Sequence, residues 1–160
     1  AVRGLFSGIV EEQVTFVNAP AIAKARGLEV ESGAANESRD HRSAIEVQVV
    51  SANGGSATVE GALTGLDRVE KIVRINGRGV DMRAQGRNLF LSYTDKPGAL
   101  GHVGAQLGNE GINIEAAALT QSAKGDGAFL ILRVEKEVPA ELEAAVAKSI
   151  EADCIQLDLD

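Results

Sequence analysis

Asp95 stands where an alternating stretch meets a helical one, and that position gives its carboxylate a chemistry. Before it, Leu89, Leu91 and Tyr93 alternate with Phe90, Ser92 and Thr94, the period of a strand. After it, Pro97 presets φ for a helix start. Leu100, Val103 and Leu107 then recur at helical spacing until Gly111 stops the run. Helix-start amides are electropositive, so a carboxylate beside them presents both signs in one turn. Such a turn suits a zwitterion, with the ligand's carboxylate at the amides and its ammonium at Asp95. The same carboxylate can serve equally as a plain helix cap. Ile112 and Ile114 resume the alternation and set Asn113 at the mouth of a second strand, where an amide needs partners if buried.

A second group of residues carries positive charge. Arg68, Lys71, Arg74, Arg78 and Arg83 crowd together in a chain whose net charge is −7. They read either as an anion site or as a solvated edge neutralised by Asp67, Glu70 and Asp81. A two-residue turn at Asn76-Gly77 predicts Lys71 and Arg78 on one face with Val73, Ile75, Val80 and Met82. Arg74 and Arg83 then fall on the other face, so this hairpin alone does not aim all of them at one pocket.

The elements around these residues follow from periodicity. Residues 1–10 predict an amphipathic helix through Val2, Leu5, Phe6, Ile9 and Val10. Asn18-Ala19-Pro20 reads as the capped start of a second helix that ends at Gly27. A strand is expected over 28–35, and a polar loop holding His41 over 36–43. Strands over 45–50 and 57–63 join through Asn53-Gly54-Gly55-Ser56, and strands over 69–75 and 80–84 through Asn76-Gly77. Ala84-Gln85-Gly86 is a short linker. From Arg87 the order is strand, helix, strand, strand, helix, strand. Lys124-Gly125-Asp126-Gly127 turns between the middle strands, and Pro139 opens the last helix, whose buried stripe is Leu142, Ala145, Val146 and Ile150. Ile155, Leu157 and Leu159 alternate in the final strand. The fold class is α+β: a small α+β domain over 1–86, then a ferredoxin-like βαββαβ domain over 87–160.

Composition narrows the functions. The 160 residues hold only 3% aromatics, so the cores must come from Val, Ile, Leu and Ala. The acidic balance argues against nucleic acid. It is concentrated in residues 87–160, at −6 against −1 for residues 1–86. No apolar run approaches a membrane span. Cys154 is the only cysteine, so no internal disulfide forms, and a reducing cytoplasm fits; it reads as a small hydrophobe. The chain starts Ala1-Val2-Arg3, which suggests a piece cut from something longer. No dinucleotide fingerprint, phosphate loop or nucleophile elbow is present, and Gly77-Arg78-Gly79 reads as a turn. Two histidines and one cysteine make a poor metal set. No catalytic or metal residue is assigned.

Tyr93-Thr94-Asp95-Lys96-Pro97-Gly98-Ala99-Leu100-Gly101, followed by Asn109-Glu110-Gly111-Ile112-Asn113-Ile114, resembles the core of an ACT domain, a small-molecule regulatory module. With Val69–Arg78, Arg3–Phe6 and Val14–Pro20 added, nearly the whole chain is similar to the C-terminal part of long-type D-3-phosphoglycerate dehydrogenases. There an intervening allosteric-substrate-binding domain precedes the ACT domain. The resemblance implies a regulatory segment without its own cofactor, attached to an NAD-dependent enzyme of serine synthesis in the cytoplasm. It implies L-serine as effector between ACT domains of neighbouring subunits, carried by Tyr93 and Asp95 on one side and the partner's asparagine, Asn113, on the other. It implies a phosphate-like anion or phosphorylated substrate at Lys71, Arg78, Arg83 and Arg133. It also implies self-association to a homodimer or homotetramer. Gly79 departs from the pattern, because close relatives carry a histidine there; substrate inhibition that depends on an imidazole is thereby put in question. Alternative readings are the regulatory segment of an L-serine dehydratase, a free-standing amino-acid-binding ACT protein, and an oligomerisation module with vestigial sites.

Overall fold

The computed structural model describes residues 2–6, 10, 13–34, 41, 43–121 and 127–159. The expected loop over 36–43 and the glycine-rich turn at 124–127 fall mostly outside these residues. The chain divides into two compact units, Ala1–Arg42 and Ser43–Asp160.

In the first unit, α1 (Val2–Phe6) and α2 (Ala19–Ala25) bury Phe6, Ile22 and Ala23 against Val2, Val10 and Val14. The expected side-chain cap at Asn18 is absent. Its amide turns backward instead: Oδ1 accepts from the Thr15 backbone N–H at 2.6 Å, and Nδ2 donates to the Gln13 carbonyl at 2.9 Å. Asn18 itself is already helical in φ and ψ, which aims its side chain away from the orphan amides of the helix start. Gly27 ends α2 in the left-handed region, as expected. The expected strand over 28–35 is corrected. Residues 28–34 belong to no strand and are exposed, because alternation supplies a strand's shape but no partner to hydrogen-bond it.

In the second unit, β1 (Ala44–Val50), β2 (Ser56–Thr64), β3 (Val69–Ile75) and β4 (Arg78–Arg83) form an antiparallel meander. Asn76 and Gly77 both take positive φ, which the two-residue hairpin turn requires. Then follow β5 (Arg87–Thr94), α3 (Ala99–Asn109), β6 (Ile114–Gln121), β7 (Gly127–Val134), α4 (Ala140–Ile150) and β8 (Asp153–Asp158). The second sheet has the order β6-β7-β5-β8, all antiparallel, which is the ferredoxin-like arrangement.

One face of that sheet carries Leu89, Leu91, Leu130 and Leu132, fully buried under Val103 and Leu107 of α3 and Val146 and Ile150 of α4. Each buried Leu stabilises the fold by roughly 1.5–3 kcal/mol. The stripe on α3 differs from expectation at its start. Ala99 is buried and Leu100 is 43% exposed, because the helix begins at Ala99, two residues beyond Pro97. On α4, Ala145 is likewise exposed while Val146 and Ile150 are buried. The helix-free face holds Ile131, Phe90, Phe129 and Ala118. These pack against Ile72, Ile75, Val80 and Met82 of the β3–β4 hairpin, so the two sheets share an apolar cluster. Strand β8 lies at the sheet edge, with Ile155 52% and Leu157 45% exposed rather than buried.

Candidate functional site

The turn after β5 begins at Tyr93, which is buried at the strand's end opposite Ala128. Burial pushes its hydroxyl pKa above the ordinary value of 10.0, and the negative charge of Asp95 adds to the shift. Asp95 is exposed, and its carboxylate accepts a hydrogen bond from Nε2 of Gln121 at the end of β6. It is not a helix cap. Gly98 occupies the N-cap position at φ +88 and supplies no side-chain bond, leaving Asp95 outside the first turn. Lys96 reaches away to Glu151, Nζ to Oε1 at 3.0 Å.

Gln121 is the residue sequence reasoning missed. It lies opposite Ala128, which lies opposite Tyr93, so one row across three strands carries all three. That row exists only once the strand order is known. Asn113 is exposed and does not join this group. It precedes β6 at Ile114, whereas Gln121 ends it; eight residues at ~3.3 Å each put them about 25 Å apart. Within one chain, Asn113 and Asp95 therefore stand at opposite ends of the sheet.

The basic residues divide differently. A cleft of about 490 Å³ is lined by Lys71, Asp81, Arg83, Asn88, Ile131 and Arg133, among others. The register of β3 against β4 shifts between Ile72 and Arg74, so that Lys71 pairs directly with Arg83. Residues directly opposite share a face. The bulge thus corrects the expectation that Lys71 shares a face with Arg78, Val80 and Met82: Ile72 stands opposite Met82 instead, and Lys71 lies with Arg83. Lys71 Nζ lies 2.5 Å from Asp81 Oδ1, and Arg133 Nε lies 3.0 Å from Glu115 Oε2. Among the described residues Arg83 makes no ion pair. Arg78 does not line the cleft; its Nη2 lies over Gly127, 3.2 Å from where a Cβ would sit. Arg74 is held by Glu60, Nε to Oε2 at 3.0 Å.

Asn88 is a buried polar residue beside Arg133, to which it is the direct cross-strand partner. Its Nδ2 donates to the carbonyls of Gln85 and Gly86, at 3.1 and 2.6 Å, and so ties down the linker at the cleft's edge. Gly86 sits at φ +69, and a Cβ there would come 3.3 Å from Arg133 Cδ. The lack of a side chain at Gly86 leaves room for the Arg133 stem beside the linker.

Other reactive groups do not assemble. Cys154 is half-buried against the core. Burial pushes its thiol from 9.0 up to about 11, with Glu143's charge adding and a hydrogen bond from the Ile155 backbone opposing. Among the described residues no three His, Cys, Asp or Glu side chains gather as a metal set. No described helix is long and apolar enough to cross a membrane.

Fold and turn together define a ferredoxin-like ACT module preceded by a small antiparallel-sheet region. Residues 87–151 match the ACT domain family, and residues 1–76 match the D-3-phosphoglycerate dehydrogenase intervening domain. The chain belongs to the regulatory, intervening-plus-ACT part of the D-3-phosphoglycerate dehydrogenase family. It is 49% identical over 152 residues to the D-3-phosphoglycerate dehydrogenase of Mycobacterium bovis, covering 95% of this chain and 29% of that protein. It is 44% identical over 157 residues to that of Mycobacterium leprae, covering 98% of this chain and 30% of that protein. The enzyme of Bacillus subtilis is 28% identical over 141 residues, covering 85% of this chain and 26% of the relative. The chain thus spans less than a third of the length of these relatives.

Proposed function

We propose that this chain is the effector-sensing portion of a cytoplasmic D-3-phosphoglycerate dehydrogenase that oxidises 3-phosphoglycerate with NAD. Residues 1–86 are its intervening domain and residues 87–160 its ACT domain. L-Serine binds between ACT domains of two subunits, with Asp95 taking the ammonium, Tyr93 walling the site and Asn113 of the neighbouring copy holding the polar ends. A phosphate-like anion binds the cleft through Lys71, Arg83 and Arg133, with Arg78 placed to act only from outside it. The catalytic chemistry and the NAD site lie in the remainder of the enzyme.

The observation that carries this reading is the exposed Asp95 carboxylate, held by Gln121 rather than by helix amides, at the end of the strand that buries Tyr93. A charged group that caps nothing is available to a ligand. Self-association is supported by the open β8 edge with Ile155 and Leu157 exposed, since an unpaired edge is a template for a symmetric partner. Tyr93 is the only tyrosine, and tryptophan is absent, so intrinsic fluorescence reports this site directly. Titration with L-serine is expected to change Tyr93 emission saturably. Asp95→Ala should weaken binding about ten- to a hundredfold, the worth of one charge-assisted hydrogen bond. Equal affinity in wild type and Asp95→Ala would remove Asp95 from the sensor.

A further inference from the structure

Two of the three cations that line the cleft already have carboxylate partners. Lys71 is paired with Asp81 at 2.5 Å and Arg133 with Glu115 at 3.0 Å, while Arg83 makes no ion pair among the described residues. Among the described residues, three cations against two carboxylates leave one positive charge, on Arg83, outside any ion pair. We propose that Asp81 and Glu115 are exchangeable counter-ions that a bound dianion displaces, and that this exchange sets the site's preference for phosphate-type dianions over monoanions. The inference rests on the anion reading of the cleft given above.

The exposures of the four partners make the exchange feasible. The cations are the sheltered members, with side chains 27% exposed for Lys71 and 21% for Arg133. Their carboxylates are the wet members, 77% exposed for Asp81 and 45% for Glu115. A carboxylate with open water beside it rotates out and is rehydrated, whereas Lys71 and Arg133 stay anchored in the cleft wall. Partly exposed pairs of this kind are worth a factor of about five or less in an equilibrium, so a ligand can replace them. Charge balance then decides which ligand gains. A monoanion that displaces one carboxylate restores the charge it removed and gains nothing beyond Arg83. A dianion meets Arg83 and one displaced cation at once, and phosphate oxygens match the guanidinium fork of Arg133.

The test titrates inorganic phosphate and nitrate, separately and at one ionic strength, into the full chain and its Asp81→Asn, Glu115→Gln and double variants. Circular dichroism and urea midpoints check the folds. Each amide should tighten phosphate about three- to fivefold and the double variant by about tenfold or more, with Arg83→Ala losing binding in every background. Nitrate should bind wild type negligibly and the double variant measurably, narrowing the dianion preference. If the amide variants bind phosphate no tighter than wild type while Arg83→Ala still abolishes binding, the carboxylates hold the cations in place for the ligand, and the exchange is overturned. If Arg83→Ala binds phosphate as wild type does, the anion reading itself fails and the exchange fails with it.

Discussion

Gly86→Ala places a methyl group where both the backbone and Arg133 resist it. Gly86 sits at φ +69, and a left-handed residue with a Cβ costs roughly 1–2 kcal/mol. The new Cβ also falls 3.3 Å from Arg133 Cδ, so that side chain must move by a few tenths of an ångström. Arg133 is not free to do so without loss, because Glu115 holds its Nε at 3.0 Å. Weakening that half-exposed pair adds up to about 1 kcal/mol. Gly111→Ala is the control: it has φ +64 but nothing within 4 Å of the built Cβ, so it carries the backbone term alone. Urea unfolding should therefore show Gly86→Ala more destabilised than Gly111→Ala. Phosphate binding should fall about tenfold in Gly86→Ala, as one displaced guanidinium contact implies, and stay unchanged in Gly111→Ala. Equal destabilisation with equal phosphate affinity would refute the packing of Arg133 along the linker.

Two further outcomes follow from titrating groups. The Cys154 thiol, at about 11, should alkylate slowly in the native chain near pH 9 and much faster in urea. Because its folded pKa is raised above 9.0, its contribution to stability is intact below pH 9 and is lost as pH rises toward 11, which urea midpoints across that range would show. Ultraviolet titration of Tyr93 should give a midpoint above 10.0, and Asp95→Asn should lower it by removing the neighbouring negative charge. An unchanged midpoint would mean that burial alone sets it.

Where a pattern is local, the chain announces its structure. The alternation of Leu89, Leu91 and Tyr93, the hairpin at Asn76-Gly77 and the stop at Gly27 all have the form their residues dictate, because each needs only neighbours in sequence. Features set by partners are not legible this way. The bulge that turns Arg83 toward Lys71 depends on how β4 matches β3 while its Val80 and Met82 pack onto the second sheet, and no single-strand period reveals it. The apolar alternation at Leu28 and Val30 looks like a strand but pairs with no strand among the described residues. Gln121 reaches Asp95 across 26 residues of chain, a proximity created by strand order alone. Asn113 shows the opposite case, close in sequence to the site's elements yet at the far end of its sheet.

That separation yields the most direct test of the account. If Asp95 of one subunit and Asn113 of another complete each serine site, then Asp95→Ala and Asn113→Ala are complementary defects. Each variant alone should bind L-serine weakly. Mixed in equal amounts and allowed to exchange subunits, they should form heterodimers with one intact site and one doubly defective site. About a quarter of all sites would then regain wild-type affinity under a two-fold symmetric arrangement. Calorimetry of the exchanged mixture, with sedimentation confirming dimers, is the measurement. Recovery of that fraction is the predicted result. No recovery, with both variants folded and dimeric, would contradict a serine site shared between subunits.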